Sequence, residues 1–395
     1  MSLRRSRSTA VALVTLTTFA DIVAYAIAIP VLPDLSRRLG ASPATIGLLF
    51  GSFGFTLLTV SIPMGAVSDR VGRRLPLVGG LVALAAATVL FAFAGGLPAL
   101  FAARLVQGAA DAVTWVVGFA LIADLYAPEE RGRITGIVMS GTSFAVMIGP
   151  SIGGWLYEIG GPRLPFLGVA GFTAAVAIAF AWVDLPHERT AREAVPIHVV
   201  IRTPAIAVCA IAVVAGAARI SMIEPMLALH LRALGVGPAR IGAIFGVGAV
   251  ASTALHPFFG RLVDRWGARR LTLYGLVAAA VSVALLGQTW SFQSAMVLFV
   301  FGAASGALVI TPSLAYMGEA TSAAGFGSFG VAYGLYNMAW GFGLLGGPAL
   351  GGVLYERMGF ARLTMAWAPS LVLATVLLAR VQLQSFQDPA LKEPV

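Results

Sequence analysis

Charged residues are scarce in this chain of 395 residues, in which Asp, Glu, Lys and Arg make up 11% and hydrophobic residues 58%. The mean hydropathy is +0.90. Soluble domains carry about 25% charged residues, so the composition excludes a water-soluble globular protein. A bilayer is crossed by about 20 apolar residues, so roughly a dozen spans would use nearly the whole chain.

Cysteine and histidine are also scarce. Cys209 is the single cysteine and cannot form an internal disulfide. The histidines at 187, 198, 230 and 256 do not have metal-ligand spacing. No nucleophile with a neighbouring base is visible either. The sequence therefore predicts neither an enzyme nor a metal or cofactor site.

The formal charge of +9 raises the question of a nucleic-acid partner. The basic residues are dispersed among short loops rather than gathered in one domain, so a nucleic-acid partner is not expected. The lipid bilayer is the expected partner. A monomer is expected because one chain with roughly a dozen spans holds a complete pathway through the membrane.

Apolar runs bounded by Gly, Pro and charge clusters predict an all-α membrane protein with two six-helix bundles. The predicted spans are near 9–33, 44–67, 75–95, 98–124, 132–156, 163–183, 204–230, 239–260, 271–288, 293–316, 326–353 and 363–381. The longest internal polar stretch lies between the sixth and seventh spans. The predicted organisation is an N-terminal bundle over 1–183, a cytoplasmic linker over 184–203 and a C-terminal bundle over 204–395.

The distribution of Lys and Arg predicts the orientation. With the N-terminus inside, 17 of the 26 basic residues fall in cytoplasmic segments and 7 in outer loops. This bias predicts that both termini are cytoplasmic. The expected location is the plasma (inner) membrane.

The two halves repeat each other. Residues 40–51 recur 195 positions later as 235–246, residues 69–72 as 264–267, and residues 149–158 recur 198 positions later as 347–356. Two parallel halves facing a midplane cavity are the arrangement that alternating access needs.

Several motifs are candidates for a role in conformational change. They are Gly65, Asp69, Arg70, Gly72 and Arg73 after span 2, Asp264 and Arg265 after span 8, Gly149, Pro150 and Gly153 in span 5, and Gly347 and Pro348 in span 11. The loops resemble the cytoplasmic signature of the major facilitator superfamily, and span 5 resembles the motif of its proton-driven antiporters. On local evidence, packing and a hinge are equally good interpretations of the span 5 glycines.

Span 4 carries Arg104, Gln107, Gly108 and Asp111 on one helix face. This too resembles the antiporter family. Since a charge inside a bilayer is costly, that face is expected to look into the cavity. The alternative is that Arg104 snorkels to the outer interface.

Span 1 with Asp21 and span 7 with Glu224 before Pro225 resemble the vesicular amine transporter branch. The resemblance implies that both acids lie on the central pathway. The chain departs from that branch at Phe53, where the family has a basic residue, at Asn337, where it has an acid, and at the added Arg219.

These patterns predict a proton-coupled antiporter of hydrophobic, cationic amine-like molecules. Proton and substrate would compete at Asp21, with Glu224, Arg104 and Asp111 in the coupling. The candidate substrate-binding residues are Asp21, Tyr25, Trp115, Glu224, Tyr333, Tyr336, Asn337 and Trp340, in which the aromatic rings would attract a cation. The alternative is a neutral or anionic solute, such as a tetracycline-like drug, sugar or metabolite, bound by Arg104 and Arg219.

Overall fold

The computed structural model describes residues 2–183, 203–324 and 329–381. In the first half the helices are α1 Ser2–Ala26, α2 Ala28–Arg38, α3 Pro43–Val71, α4 Arg74–Ala92, α5 Leu97–Leu125, α6 Pro128–Gly160 and α7 Leu164–Trp182. In the second half they are α8 Pro204–Ala233, α9 Pro238–Trp266, α10 Ala268–Leu286, α11 Phe292–Ala323 and α12 Phe329–Arg380. The described residues contain no strand.

Eleven stretches of the described residues are long and apolar enough to cross a membrane, and the first, Arg7–Val31, joins α1 to part of α2. The last contains Gly359, whose φ of 76° breaks α12 into two spans. The predicted all-α fold with twelve spans is confirmed. The predicted linker falls on residues 184–202, which lie outside the described residues, so the domain boundaries stay a prediction.

Glycines in the left-handed region end the spans at matching places in both halves. Gly40, Gly72 and Gly161 have positive φ in the first half, and Gly235, Gly267 and Gly359 in the second. Only glycine adopts this conformation without strain. The repeat seen in the sequence is therefore a repeat of turns as well as of helices.

The bundle has two ends. We call the end that holds the start of α1 and the end of α12 the terminal end, and the opposite one the distal end. At the distal end the halves pack tightly, with Gly47 of α3 against Gly352 of α12 and Gly242 of α9 against Pro150 of α6. These glycines leave no room for a side chain, so backbone meets backbone across the interface.

The contact between α12 and α3 is less complete towards the terminal end. The face of α12 that packs on α3 through Gly341 and Leu345 continues one to two turns further to Asn337 and Gly334. Both of these residues are exposed. This part of the α12 face is therefore not covered by α3, and we interpret the terminal end as the more open one.

Candidate functional site

The first element of the site is a pair of buried carboxyl groups in the N-terminal half. Asp21 of α1 is 1% exposed and Asp111 of α5 is 7% exposed. Their carboxyl groups lie close enough to interact with each other. Two carboxylates this close in a buried place repel each other, so the pair is a candidate for sharing a proton.

Two further residues of α5 fix Asp21. Its Oδ2 accepts a hydrogen bond from Thr114 Oγ1 at 3.2 Å and from Trp115 Nε1 at 3.1 Å. Asp111, Thr114 and Trp115 lie at i, i+3 and i+4 and so share one helix face. The structure thus brings together Asp21, Asp111 and Trp115, three of the predicted residues, and adds Thr114, which sequence reasoning missed.

The second element crosses between the halves. The Tyr25 hydroxyl donates a hydrogen bond to Glu224 Oε2 at 2.6 Å. Tyr25 lies one turn after Asp21 on α1, and Glu224 lies on α8 beside Pro225. One turn of α1 therefore links the carboxyl pair of one half to the glutamate of the other.

Arg104 occupies an aromatic enclosure. Its guanidinium carbon lies 4.4 Å from the ring centre of Phe50, 5.3 Å from Tyr25, 5.6 Å from Phe91 and 5.9 Å from Phe53. Rings at such distances attract a cation through their negative faces. The side chain also donates to Gln107 Oε1 at 2.8 Å.

Arg104 is 0% exposed, so it does not snorkel to an interface. Phe53 supplies one of the rings of this enclosure. Sequence reasoning missed this role of Phe50, Phe53 and Phe91. The spacing of Phe50 and Phe53 puts them near one face of α3, but only the packing of α3 on α5 shows that they face Arg104.

The contacts of Arg219 are with α11 and not with the carboxyl pair, Glu224 or Arg104. It is 2% exposed, and its Nη2 donates to the Gly302 carbonyl of α11 at 3.3 Å. A Cβ on Gly306 would lie 2.9 Å from Nη2, so the absence of a side chain there makes room for the guanidinium. Arg219 is therefore enclosed within the C-terminal half.

The aromatic candidates of α12 lie in the part of the helix towards the terminal end. Trp340 and Tyr336 are stacked with ring centres 6.3 Å apart. The Tyr336 hydroxyl donates to the Ile310 carbonyl at 3.4 Å, and Asn337 is exposed. The side chain of Tyr333 lies outside the described residues, so its predicted role stays a prediction.

The loop after α3 forms a charge network. Arg73 donates to Asp124 through Nε at 2.7 Å and pairs with Asp69 through Nη1 at 2.6 Å. Partial burial opposes the charge of Arg73, but the hydrogen bonds and charges of Asp124 and Asp69 outweigh it and raise its pKa. Arg70 is exposed, and Gly65 faces Val116 of α5.

The corresponding loop of the C-terminal half is built differently. Asp264 and Arg265 are exposed. Arg269 donates to the carbonyls of Leu378 at 3.1 Å and Ala379 at 2.7 Å, at the end of α12, as Arg74 of the first half does to the Ala181 carbonyl at the end of α7. This satisfies carbonyls that a helix end leaves unpaired.

The span 5 glycines lie at helix contacts. A Cβ on Gly149 would lie 2.6 Å from the Cβ of Ala26, and one on Gly153 would lie 2.7 Å from the Cα of Ile27, where α1 passes into α2. In the other half, a Cβ on Gly347 would lie 2.5 Å from Ser221 Oγ of α8, and Pro348 meets Gly47 of α3. The motif thus joins α6 to α1 and α12 to α8, the helices that carry Asp21 and Glu224.

Comparisons with known proteins give the family. A family model described as Major Facilitator Superfamily matches residues 14–218 and 209–394. The human vesicular acetylcholine transporter is 30% identical over 380 residues, covering 88% of this chain and 69% of that protein. The rat chromaffin granule amine transporter is 26% identical over 360 residues, covering 88% of this chain and 67% of that protein.

The fold is similar to that of a solved transporter. A bacterial homologue of the human lysosomal transporter Spinster, solved in an inward-facing and occupied conformation, superimposes with a TM-score of 0.81. The two chains are 16% identical, and the match covers 95% of this chain and 96% of the other.

Proposed function

The chain belongs to the Major Facilitator Superfamily, in its vesicular amine transporter branch, and from that premise we propose that it exports cationic, hydrophobic amines in exchange for protons. Membership makes it a multi-pass membrane transporter of a small molecule and not an enzyme. Proton coupling, export, the inner-membrane location, cytoplasmic termini and the monomeric state are parts of the proposal. The proton gradient is the energy source, and no cofactor is invoked.

One observation supports the coupling most strongly. The Asp21 and Asp111 carboxyls lie beside each other, and the two residues are only 1% and 7% exposed, so a buried pair of negative charges would be costly without a proton or another cation. An ammonium group at this pair would provide the counter-charge that a proton would otherwise provide. Since a site in low dielectric does not hold both charges well, the cation and the proton would displace each other.

The Tyr25 hydrogen bond to Glu224 supplies the link to alternating access. Tyr25 and Asp21 move together on α1, whereas Glu224 belongs to the other half. A cation between Asp21 and Glu224 would be held by both halves, and rings such as Trp115 and Trp340 would add about 0.5 to 2 kcal/mol each. Exchange at the acids would thereby change which arrangement of the halves is favoured.

The proposed direction of transport follows from the proposed orientation of the chain in the membrane. With cytoplasmic termini, the open terminal end admits an amine from the cytoplasm. The cation displaces the proton, the halves rock, and a proton arriving from the distal side then displaces the cation. Each cycle exports one class of solute and returns protons.

The environments of the two buried arginines favour an amine over an anionic solute. Arg104 is enclosed by four rings, and Arg219 lies against α11. Both guanidinium groups are buried, with Arg104 0% and Arg219 2% exposed, so neither is open to a solute in this arrangement.

Flux in proteoliposomes tests the proposal. Purified protein should accumulate a fluorescent or radiolabelled amine only when a pH gradient is imposed, and Asp21→Asn should abolish this. Glu130→Gln is the matched control because it removes a charge at the terminal end of α6. Gradient-independent flux, or a preference for anions, would contradict the proposal.

A further inference from the structure

Two glutamates at the distal end reach across the interface between the halves. Glu158 ends the repeated motif in α6, and Glu356 occupies the matching position in α12. Glu158 Oε1 accepts a hydrogen bond from the backbone N–H of Ala239 at 3.0 Å. Glu356 Oε2 accepts one from the backbone N–H of Ala44 at 2.9 Å.

Both hydrogen bonds go to the first turn of a helix in the opposite half. Ala239 is in the first turn of α9 and Ala44 in the first turn of α3. Each follows a proline that begins its helix and has no N–H, so each supplies the first available backbone donor. A carboxylate at this place both satisfies an unpaired donor and interacts favourably with the helix dipole.

The receiving helices lack such a charge of their own. Neither α3 nor α9 has an acidic residue in its first turn, and the N-cap of α9 is Gly237, which offers no side chain. A Cβ at Gly237 would lie 2.8 Å from Glu158 Oε1, so the glycine also leaves space for the carboxylate. Each half therefore completes a helix terminus of the other.

These contacts exist only while the distal end is closed. They lie directly beside the places where Gly154 and Gly352 bring the backbones of the two halves together. Separation of α6 from α9, or of α12 from α3, must break them. A broken contact leaves the N-terminus of a helix without its charged partner.

We propose that Glu158 and Glu356 are a matched pair of latches that hold the distal end closed and that must release each time the transporter opens to that side. The two latches act on opposite sides of the same opening and contribute independently. The proposal uses the transporter fold and does not depend on protons or on the identity of the substrate.

Distance measurements across the distal end test the latches. Spin labels at Gly95→Cys and Gln288→Cys report on the two halves, because a Cβ at Gly95 meets no atom within 4 Å and Gln288 is exposed. The buried Cys209 is replaced by alanine. The full-length protein is studied in lipid nanodiscs without substrate.

Glu158→Ala and Glu356→Ala should each raise the ratio of distally open to closed molecules by roughly fivefold. The double variant should raise that ratio by the product of the two single factors, because the contacts are independent. Glu158→Gln should have a smaller effect, because its amide oxygen still accepts the hydrogen bond. Glu130→Ala, which removes a charge at the other end of α6, should leave the distances unchanged.

Two results would overturn the proposal. One is a set of distance distributions for both alanine variants that superimposes on the parent, with the proteins folded. The other is an equal shift in Glu130→Ala, which would assign the effect to net charge. Because no transport is measured, failure of the amine-proton mechanism would leave these distances unaffected and thus distinguishable.

Discussion

The N-terminal and C-terminal halves share their turns and contacts but not their buried charges. At the offset of 195 that relates Gly40 to Gly235, the carboxyl pair Asp21 and Asp111 corresponds to Gly216 and Gly306. A Cβ on Gly216 would lie 3.0 Å from Val309, so helices pack closely where the first half has carboxylates. The C-terminal half contributes Glu224 instead, at the interface.

The loops at the terminal end repeat this contrast. Arg74 donates to the Ala181 carbonyl at the end of α7, and Arg269 at the matching position donates to Leu378 at the end of α12. Arg73, which pairs with Asp69 and Asp124, corresponds to Ala268. The difference teaches that the repeat preserves the architecture while the charge chemistry is concentrated in one half.

The largest expected effect comes from removing the acid that the second half lacks. Asp21→Asn should reduce proton-driven amine flux to background, because it removes the titrating group while keeping a similar volume. The protein should remain folded and inserted, as judged by gel filtration and thermal unfolding. Normal gradient-driven flux in this variant would show that Asp21 is not part of the mechanism. The difference in coupling chemistry between the two halves would then be contradicted.

Neutralising the acid of the other half should have a smaller and selective effect. Glu224→Gln should weaken the binding of cationic substrates by about tenfold and that of neutral analogues much less, because only a cation needs the counter-charge. Tyr25→Phe is the matched variant, since it removes the hydrogen bond but keeps the charge. Equal losses for cationic and neutral ligands in binding titrations would indicate a structural role beside Pro225.

A carboxylate added to the C-terminal half should reduce the difference in titratable groups between the two halves. Asn337 is exposed on the face of α12 that leads from Gly341 towards the terminal end. Asn337→Asp should change the pH dependence of flux by adding a titratable group. Superimposable pH profiles at equal protein amounts would place Asn337 outside the coupling pathway.

The sequence predicted the architecture well because its signals are local. Apolar length gave the spans, and glycines such as Gly72 and Gly267 marked their ends. The carboxyl pair was only partly predictable: the spacing put Asp111 on the inward face of α5, but its contact with Asp21 depends on how α1 packs on α5. The ring enclosure of Arg104 and the contacts of Glu158 and Glu356 depend on three-dimensional proximity that no periodicity encodes.

A modest effect is expected at the ion pair between the halves. Asp34 accepts from Arg232 of the other half at 3.0 Å and also from the Tyr157 hydroxyl. Burial opposes the charge of Asp34, but Tyr157, Arg232 and Arg38 outweigh it and lower its pKa from 3.8. A lowered pKa gives stability that is present above the unfolded value and lost as the pH falls through the folded one.

Asp34→Asn should therefore lower the melting temperature by a few degrees. The difference from the parent should be constant between pH 5 and pH 8 and should shrink only in stronger acid. A difference that disappears between pH 8 and pH 5 would contradict the assignment of the lowered pKa to this pair.

The smallest effect is expected at Arg219. Its guanidinium lies against α11 rather than between the halves, so Arg219→Met should change amine flux by less than about twofold. Arg104→Met is the contrasting variant, because Arg104 lies over the ring of Tyr25, which binds Glu224. A large loss of flux in Arg219→Met, with the protein folded, would support the alternative in which this arginine binds solute.

The central claim is that proton exchange occurs at the carboxyl pair of the N-terminal half. Proton release on amine binding tests it most directly, by calorimetry in buffers that differ in ionisation enthalpy. The account predicts release of about one proton per amine bound by the parent, and none by Asp21→Asn or Asp111→Asn at saturating amine. Unchanged proton release in both variants, with amine still bound, would contradict the claim.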